Sequence, residues 1–321
     1  NSTDFKNNVF VKIKRDGIEG LGEAAPNIRY DETPESTVAT IESAIPLFNK
    51  YDLWHFVDLG YAIKALGTGQ TAAKAALDIA IMDWIAKKQN MPLYQYLGLN
   101  KEKVPLTTFS IGIDTPEVIR QKVKEAEPYP ILKIKVGLGN DHEIIGAVRS
   151  VTDKPLRVDA NEGWKNKEEA LEKIKWLEKE GVEFIEQPMP AAMHDDIRWL
   201  RERVEIPIVA DEAVKTAADI PRLADAYDGI NIKLMKSAGL QEALRMIAMA
   251  RSLGLKIMLG CMIESSLAIA AAAQISPLVD WLDLDGNLLI SNDPMKGHPV
   301  VDGKIILNDK PGLGVISEIE F

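Results

Sequence analysis

Between Val104 and Asn287 the chain alternates short apolar runs with longer stretches whose apolar residues recur every three or four positions. Leu171, Ile174 and Leu177 show the second pattern, an apolar stripe set among Lys and Glu, which predicts an amphipathic helix. The short runs centre on Phe109, Ile134, Val158, Ile185, Val209, Ile232, Met258 and Asp283, at steps of 25, 24, 27, 24, 23, 26 and 25 residues. Eight strands at so even a period, each followed by a helix-length segment, predict an α/β chain closed into a parallel barrel. No glycine-rich dinucleotide loop argues for an open sheet instead.

Residues 1–103 read differently. A strand at Val9 to Ile13 and a turn at Asp16-Gly17 precede helices near Ser36 to Asn49 and Thr71 to Gln89, which makes an α+β unit. Past residue 286 the helical pattern stops. Turn-rich sequence such as Pro311-Gly312-Leu313-Gly314 predicts that 287–321 returns to the N-terminal unit, leaving 104–286 as the barrel. The chain opens on Asn1 where an initiator Met would stand, so residues are expected upstream of it.

A length of 321 residues accommodates one barrel and a smaller companion. The net charge of -10, with no basic patch, weighs against nucleic acid and favours a small-molecule substrate. A single cysteine, Cys261, excludes an internal disulfide, and with no leader-like opening the expected compartment is the reducing cytoplasm. The most apolar window, Ser265 to Ile275, falls far short of the roughly 20 residues a membrane span needs.

In a parallel barrel the chemistry comes from the C-terminal ends of the strands, and here those ends are polar. The second strand carries Lys133 and Lys135 on one face, about 6.6 Å apart along the strand, with Leu132, Ile134 and Val136 on the other. The third, fourth and fifth end in Asp159, Glu186 and Asp211. With neighbouring strands about 4.8 Å apart, these carboxylates are expected to converge on one point, and a hard oxygen-loving cation such as Mg²⁺ would relieve their repulsion. Lys233 ends the sixth strand, four places round the ring from Lys135 and therefore opposite it. Asp283 and Asp285 end the eighth, opposite the fourth, where an acidic pair suits an ammonium group.

A cation flanked by two amines fits inversion at a carbon next to a carboxylate. Removing that carbon's proton puts a second negative charge on the carboxylate, an enediolate that a cation must stabilise. Lys135 and Lys233 are the expected bases. Lys133 is expected to lower the pKa of Lys135 by like-charge repulsion.

The chain resembles the enolase superfamily, its muconate-lactonising subgroup and, within that, the dipeptide epimerases. The resemblance spans nearly the whole sequence: Gly22-Glu23-Ala24-Ala25-Pro26, Lys133-Ile134-Lys135, Asp159-Ala160-Asn161, Glu186-Gln187-Pro188, Asp211-Glu212, Ile232-Lys233-Leu234-Met235-Lys236, Gly260-Cys261-Met262-Ile263-Glu264-Ser265 and Asp283-Leu284-Asp285-Gly286. The superfamily's use of a Lys base with Mg²⁺ is itself a known pattern. The resemblance implies a (β/α)7β TIM-like barrel capped by an α+β domain built from both termini. It implies one Mg²⁺ per subunit on Asp159, Glu186 and Asp211, and epimerisation at the C-terminal residue of a dipeptide, often L-Ala-D/L-Glu. Asp283 and Asp285 would bind the substrate ammonium, and Asn161 and Glu264 would join the substrate-binding set. Arg29 and Tyr30, in the cap loop from Gly20 to Tyr30, would set specificity. Homo-oligomers are common among such barrels.

Other readings compete. Muconate cycloisomerisation and o-succinylbenzoate synthesis use the same lysines and metal, but on substrates without an ammonium the acidic pair would be wasted. A non-catalytic binding barrel would not need every catalytic residue type. Glu212 and Asp219 read as caps of the helices that follow them, Cys261 as a packed core residue, and Asp283-Asp285-Gly286 alone could be a turn. His55, His142, His194 and His298 all lie away from the strand ends, which argues against a His base or a zinc site.

Overall fold

A computed structural model describes residues 5–319. The cap begins with a hairpin of β1 (Val9–Arg15) and β2 (Ile18–Ala24), paired antiparallel from Val9↔Ala24 to Arg15↔Ile18. Its two-residue turn takes positive φ at both Asp16 and Gly17, the twist that a tight hairpin needs. Four helices follow: α1 (Pro34–Ser43), α2 (Ile45–Lys50), α3 (Phe56–Lys64) and α4 (Thr71–Lys88). The single helix expected over 36–49 is thus two, broken at Ala44 just before Pro46, whose ring and missing N–H interrupt the ladder. Helix α4 is buried on every side from Ala72 to Ala86 because the hairpin lies along it on one side and the barrel on the other. Strand β2 approaches α4 so closely that a Cβ on Gly22 would stand 1.9 Å from the Ala76 carbonyl oxygen. Only glycine permits that contact.

After a short helix α5 (Leu93–Tyr96), eight parallel strands lie in chain order around the ring. They are β3 (Phe109–Ile111), β4 (Leu132–Lys135), β5 (Leu156–Asp159), β6 (Val182–Glu186), β7 (Ile208–Ala210), β8 (Gly229–Lys233), β9 (Lys256–Gly260) and β10 (Trp281–Asp283). Every expected strand centre falls inside one of them. The ring closes where Thr108 N–H donates to the Leu282 carbonyl at 3.2 Å. Outer helices fill the gaps between strands: α6 (Pro116–Glu125), α7 (Asp141–Arg149), α8 (Lys167–Lys179), α9 (His194–Arg201), α10 (Ile220–Leu223), α11 (Leu234–Ser237), α12 (Leu240–Ser252) and α13 (Ser266–Ile275). Only a 3-10 turn, Gly286–Leu289, follows β10, which makes the barrel (β/α)7β.

The remaining chain forms two small ladders, β11 (Met295–Lys296) with β14 (Ile316–Ser317) and β12 (Val300–Val301) with β13 (Lys304–Ile305). It then hydrogen-bonds back to the cap: Gly312 N–H donates to the Met91 carbonyl, and Leu313 N–H donates to Asp83 at 2.8 Å. Cap and barrel are also joined through Glu23 at the end of β2. Its carboxylate is fully buried and accepts from Ser265 and from the Ala268 N–H in the first turn of α13. No helix among the described residues is long and apolar enough to cross a membrane.

Candidate active site

The alternation along β4 sends Leu132 and Ile134 into the apolar core and both lysines to the barrel interior. Register then sets their neighbours. Lys135 is paired with Asp159 on β5, and Asp159 with Glu186 on β6. Asp211 follows β7 directly, and Lys233 ends β8. Two glycines let the loops after β4 and β5 nest against each other, since a Cβ on Gly163 would lie 2.5 Å from Gly137 Cα.

Asp159, Glu186 and Asp211 end three consecutive staves, and Asp159 and Glu186 both lie within 3.2 Å of Lys133 Nζ. Among the described residues no three His, Cys, Asp or Glu side chains form a ready cluster for an ion. Each carboxylate is drawn instead to an ammonium. Lys133 Nζ lies 3.2 Å from Asp159, 2.7 Å from Glu186 and 2.7 Å from Asp283. Lys135 donates to Asp159 at 3.0 Å and to Asn161 at 2.9 Å. Asp211 is held by Lys233 at 2.7 Å and by the buried Lys236 at 2.5 Å. Opposite charges a few ångströms apart attract strongly in a buried site, and the ammonium groups offset the repulsion among the acids.

Lys133, the expected tuner of Lys135, is itself ion-paired to three acids. Burial opposes its charge, but Asp283, Glu186 and Asp159 hold its pKa well above that of an ordinary lysine. Burial likewise opposes charge on Asp159 and Asp211, yet the lysines around them keep both far below the usual carboxylate range. Glu186 is pushed the other way, up, by burial and by Asp159 and Asp211. Its Oε2, although 2.7 Å from Lys133, is buried without a donor in hydrogen-bond geometry. An all-oxygen set of buried acids on three consecutive strand ends, one oxygen of it unsatisfied, fits a hard divalent cation such as Mg²⁺.

At the far side of the interior, Asp283 accepts from Thr108 at 2.5 Å and pairs with Lys133, while Asp285 accepts from Ser110 N–H at 2.6 Å. Burial and the neighbouring Asp283 raise the pKa of Asp285. Cys261 packs against the apolar core, as expected, with its Sγ 4.0 Å from Asp285 Oδ1, and burial with the surrounding acids keeps the thiol protonated. Glu264 is buried, accepts from Met262 N–H, and is pushed up by burial to about 8. Tyr30 sits near Asp211 and Lys233 with its phenol pKa raised, chiefly by burial. Arg29 pairs with Glu162 and lies 3.3 Å from Glu212. Among the histidines, His298 is buried on Gln274, and His142 packs at a tilt against Trp176 outside the strand ends.

Glu212 is not a helix cap. It faces Asn161 and Arg29 in the site. Asp219 does cap, closing a box with Thr216 at the start of the 3-10 turn Ala217–Asp219 that leads into α10. Residues whose part was not foreseen include Asn231, which donates to Glu186 at 2.7 Å, and Gln187, whose Oε1 accepts from Asp211 N–H at 2.9 Å. Asn231 lies two residues before Lys233, so strand alternation alone would have put it on the same face. Gln187 and Lys236 fall within motifs that carry the family resemblance, but their contacts, which cross between strands and loops, are not given by strand alternation.

Residues 117–318 match the family description "Enolase C-terminal domain-like", and residues 2–98 match "Mandelate racemase / muconate lactonizing enzyme, N-terminal domain". The chain belongs to the mandelate racemase/muconate lactonizing enzyme family of the enolase superfamily. Relatives in this family are named epimerases, and the enzyme is an isomerase of that kind. It is 49% identical to the L-Ala-D/L-Glu epimerase of Bacteroides thetaiotaomicron, over 96% of this chain and 80% of that one. It is 38% identical to a hydrophobic dipeptide epimerase from a Flavobacteria bacterium, over 98% of this chain and 92% of that one. Among solved structures it resembles the dipeptide epimerase of Cytophaga hutchinsonii in complex with Mg and D-Ala-L-Val, with a TM-score of 0.93 and 29% identity, covering 98% of this chain and 90% of that one.

Proposed function

We propose that the enzyme is a Mg²⁺-dependent dipeptide epimerase that inverts the α-carbon of the C-terminal residue of L-Ala-D/L-Glu or a related dipeptide. The observation that carries this reading is the placement of Lys135 and Lys233 on β4 and β8, four staves apart, with Asp159, Glu186 and Asp211 on the three staves between. The Mg- and dipeptide-bound relatives support it. We read residues 1–103 and 287–321 as the cap and 104–286 as the catalytic barrel.

Asp159, Glu186 and Asp211 would hold one ion per subunit. When bound, Mg²⁺ supplies the positive charge against which the substrate carboxylate accumulates a second negative charge as an enediolate. The chain's own residues do the proton transfer. One lysine, neutral, takes the proton from Cα as the C–H electron pair moves into the carboxylate. The opposite lysine, charged, returns a proton to the other face. The two lysines exchange these roles when the reaction runs in the opposite direction. Asp283 and Asp285 bind the substrate ammonium. Glu264, protonated near neutral pH, lies within electrostatic reach of Lys233 and can donate to the substrate carboxylate. Asn161, Arg29 and Tyr30 line the side of the site nearest the cap.

The test is a dipeptide library incubated with enzyme and Mg²⁺ in D₂O. Mass spectrometry should find deuterium at the α-carbon of the C-terminal residue, with both epimers forming. No exchange into any dipeptide would overturn the reading.

A further inference from the structure

A row of side chains runs from the cap to Lys135 beside the carboxylates. Arg29, in the 3-10 turn Ile28–Tyr30, ion-pairs Glu162 and lies 3.3 Å from Glu212 Oε1. The same Glu212 oxygen accepts from Asn161 Nδ2 at 3.3 Å, and Asn161 Oδ1 accepts from Lys135 Nζ at 2.9 Å. The Glu212 side chain is only 8% exposed, and its second oxygen is buried without a partner. The backbone on either side of it is fixed by Gln187 Oε1, which accepts from Asp211 N–H at 2.9 Å and Ala213 N–H at 3.2 Å. Asn161 and Glu162 hold consecutive φ values of 43° and 64°, a left-handed conformation that residues with a Cβ adopt at a cost. Glycine would relax both positions but would remove both side chains from the row.

We propose that Glu212 is a positioning residue for Lys135, set in place by Arg29 of the cap and acting through Asn161. An amide presents two different ends, and only its oxygen can accept from a lysine. A carboxylate that accepts from Nδ2 fixes which end faces Lys135. Lys135 needs that aim: its side chain is long, rotamer-rich and 39% exposed. Of its two acceptors, Asp159 is assigned to the cation, which leaves Asn161 as the one devoted to the lysine. Part of this rests on the reading of Lys135 as a base, so the test has an arm that needs no turnover.

In the full-length enzyme with Mg²⁺, α-proton exchange in D₂O is followed from each epimer of one dipeptide separately. The Lys135→Ala variant identifies the epimer whose exchange depends on Lys135. In Glu212→Ala that exchange should fall about 10- to 100-fold, while the other epimer's exchange and the Mg²⁺ affinity by calorimetry stay within about 2-fold. Glu212→Gln, which keeps an acceptor oxygen for Asn161, should recover most of the loss. Equal loss on both epimers, no loss, or a matching fall in Mg²⁺ affinity would overturn the proposal. The second arm is competitive acylation of lysines read by peptide mass spectrometry. Lys135 should label faster in Glu212→Ala than in the parent, with Lys233 unchanged. Unchanged labelling of Lys135 would sink the positioning role even if the parent proved inactive on every dipeptide.

Discussion

Lys135 and Lys233 stand on opposite staves of the barrel, and each holds a different carboxylate, Asp159 at 3.0 Å and Asp211 at 2.7 Å. Their side chains reach the interior from opposite directions with three acidic strand ends between them. For a planar intermediate, that is the relation needed to protonate either face.

Replacing either base should therefore stop epimerisation without dismantling the site. Lys135→Ala and Lys233→Ala are each expected to lower the epimerisation rate about 10²- to 10⁴-fold while still binding Mg²⁺. Polarimetry or chiral chromatography measures the first quantity, and calorimetric titration the second. Normal turnover by both variants would refute the two-base assignment.

Lys133 has a different part. It is 3% exposed and pairs with Asp159, Glu186 and Asp283, so its loss leaves buried acids facing one another. Lys133→Met is expected to destabilise the fold by about 3–5 kcal/mol, read from urea or thermal melts of the Mg²⁺-free protein. A variant as stable as the parent would show that the three acids do not depend on this ammonium.

The acidic pair at the end of the last strand gives a substrate-dependent prediction. Asp285 accepts from Ser110 N–H and makes no ion pair within 4 Å among the described residues, so it is available to a substrate ammonium. Asp285→Asn should raise KM for a dipeptide with a free amino terminus about 10- to 100-fold, from the loss of a charged hydrogen bond. Poor turnover of an N-acetylated dipeptide should hardly change. Equal effects on the two substrates would remove the ammonium-binding role.

Glu264 links pH to stability. Its pKa in the folded protein, about 8 because of burial, lies above the ordinary 4.5, so the folded state binds the proton more tightly than the unfolded state. The fold gains from this group below pH 4.5 and loses the gain as pH rises toward 8. Glu264→Gln, which cannot ionise, should therefore melt higher than the parent at pH 8, with the difference shrinking toward pH 4.5. A difference independent of pH would mean that Glu264 is not a buried acid of this kind.

Much was legible in the order of residues. Period-two alternation put Lys133, Lys135 and the strand-end acids on the interior face, and a period of 23 to 27 residues fixed eight staves and hence which residues oppose each other. These are consequences of backbone geometry, which repeats the same way wherever it forms, so a one-dimensional pattern can carry them. The chain could not announce which ammonium meets which carboxylate. Lys133 reaches Asp283 across 150 positions of sequence, and Lys236 turns back onto Asp211 from the helix after β8. Glu212 looked like a cap because strand-end acids often are, and it became part of the site only when Arg29 came down from the cap beside it. Such pairings depend on side-chain reach and on competition among charges in a buried space, and those are settled only once distant segments pack together.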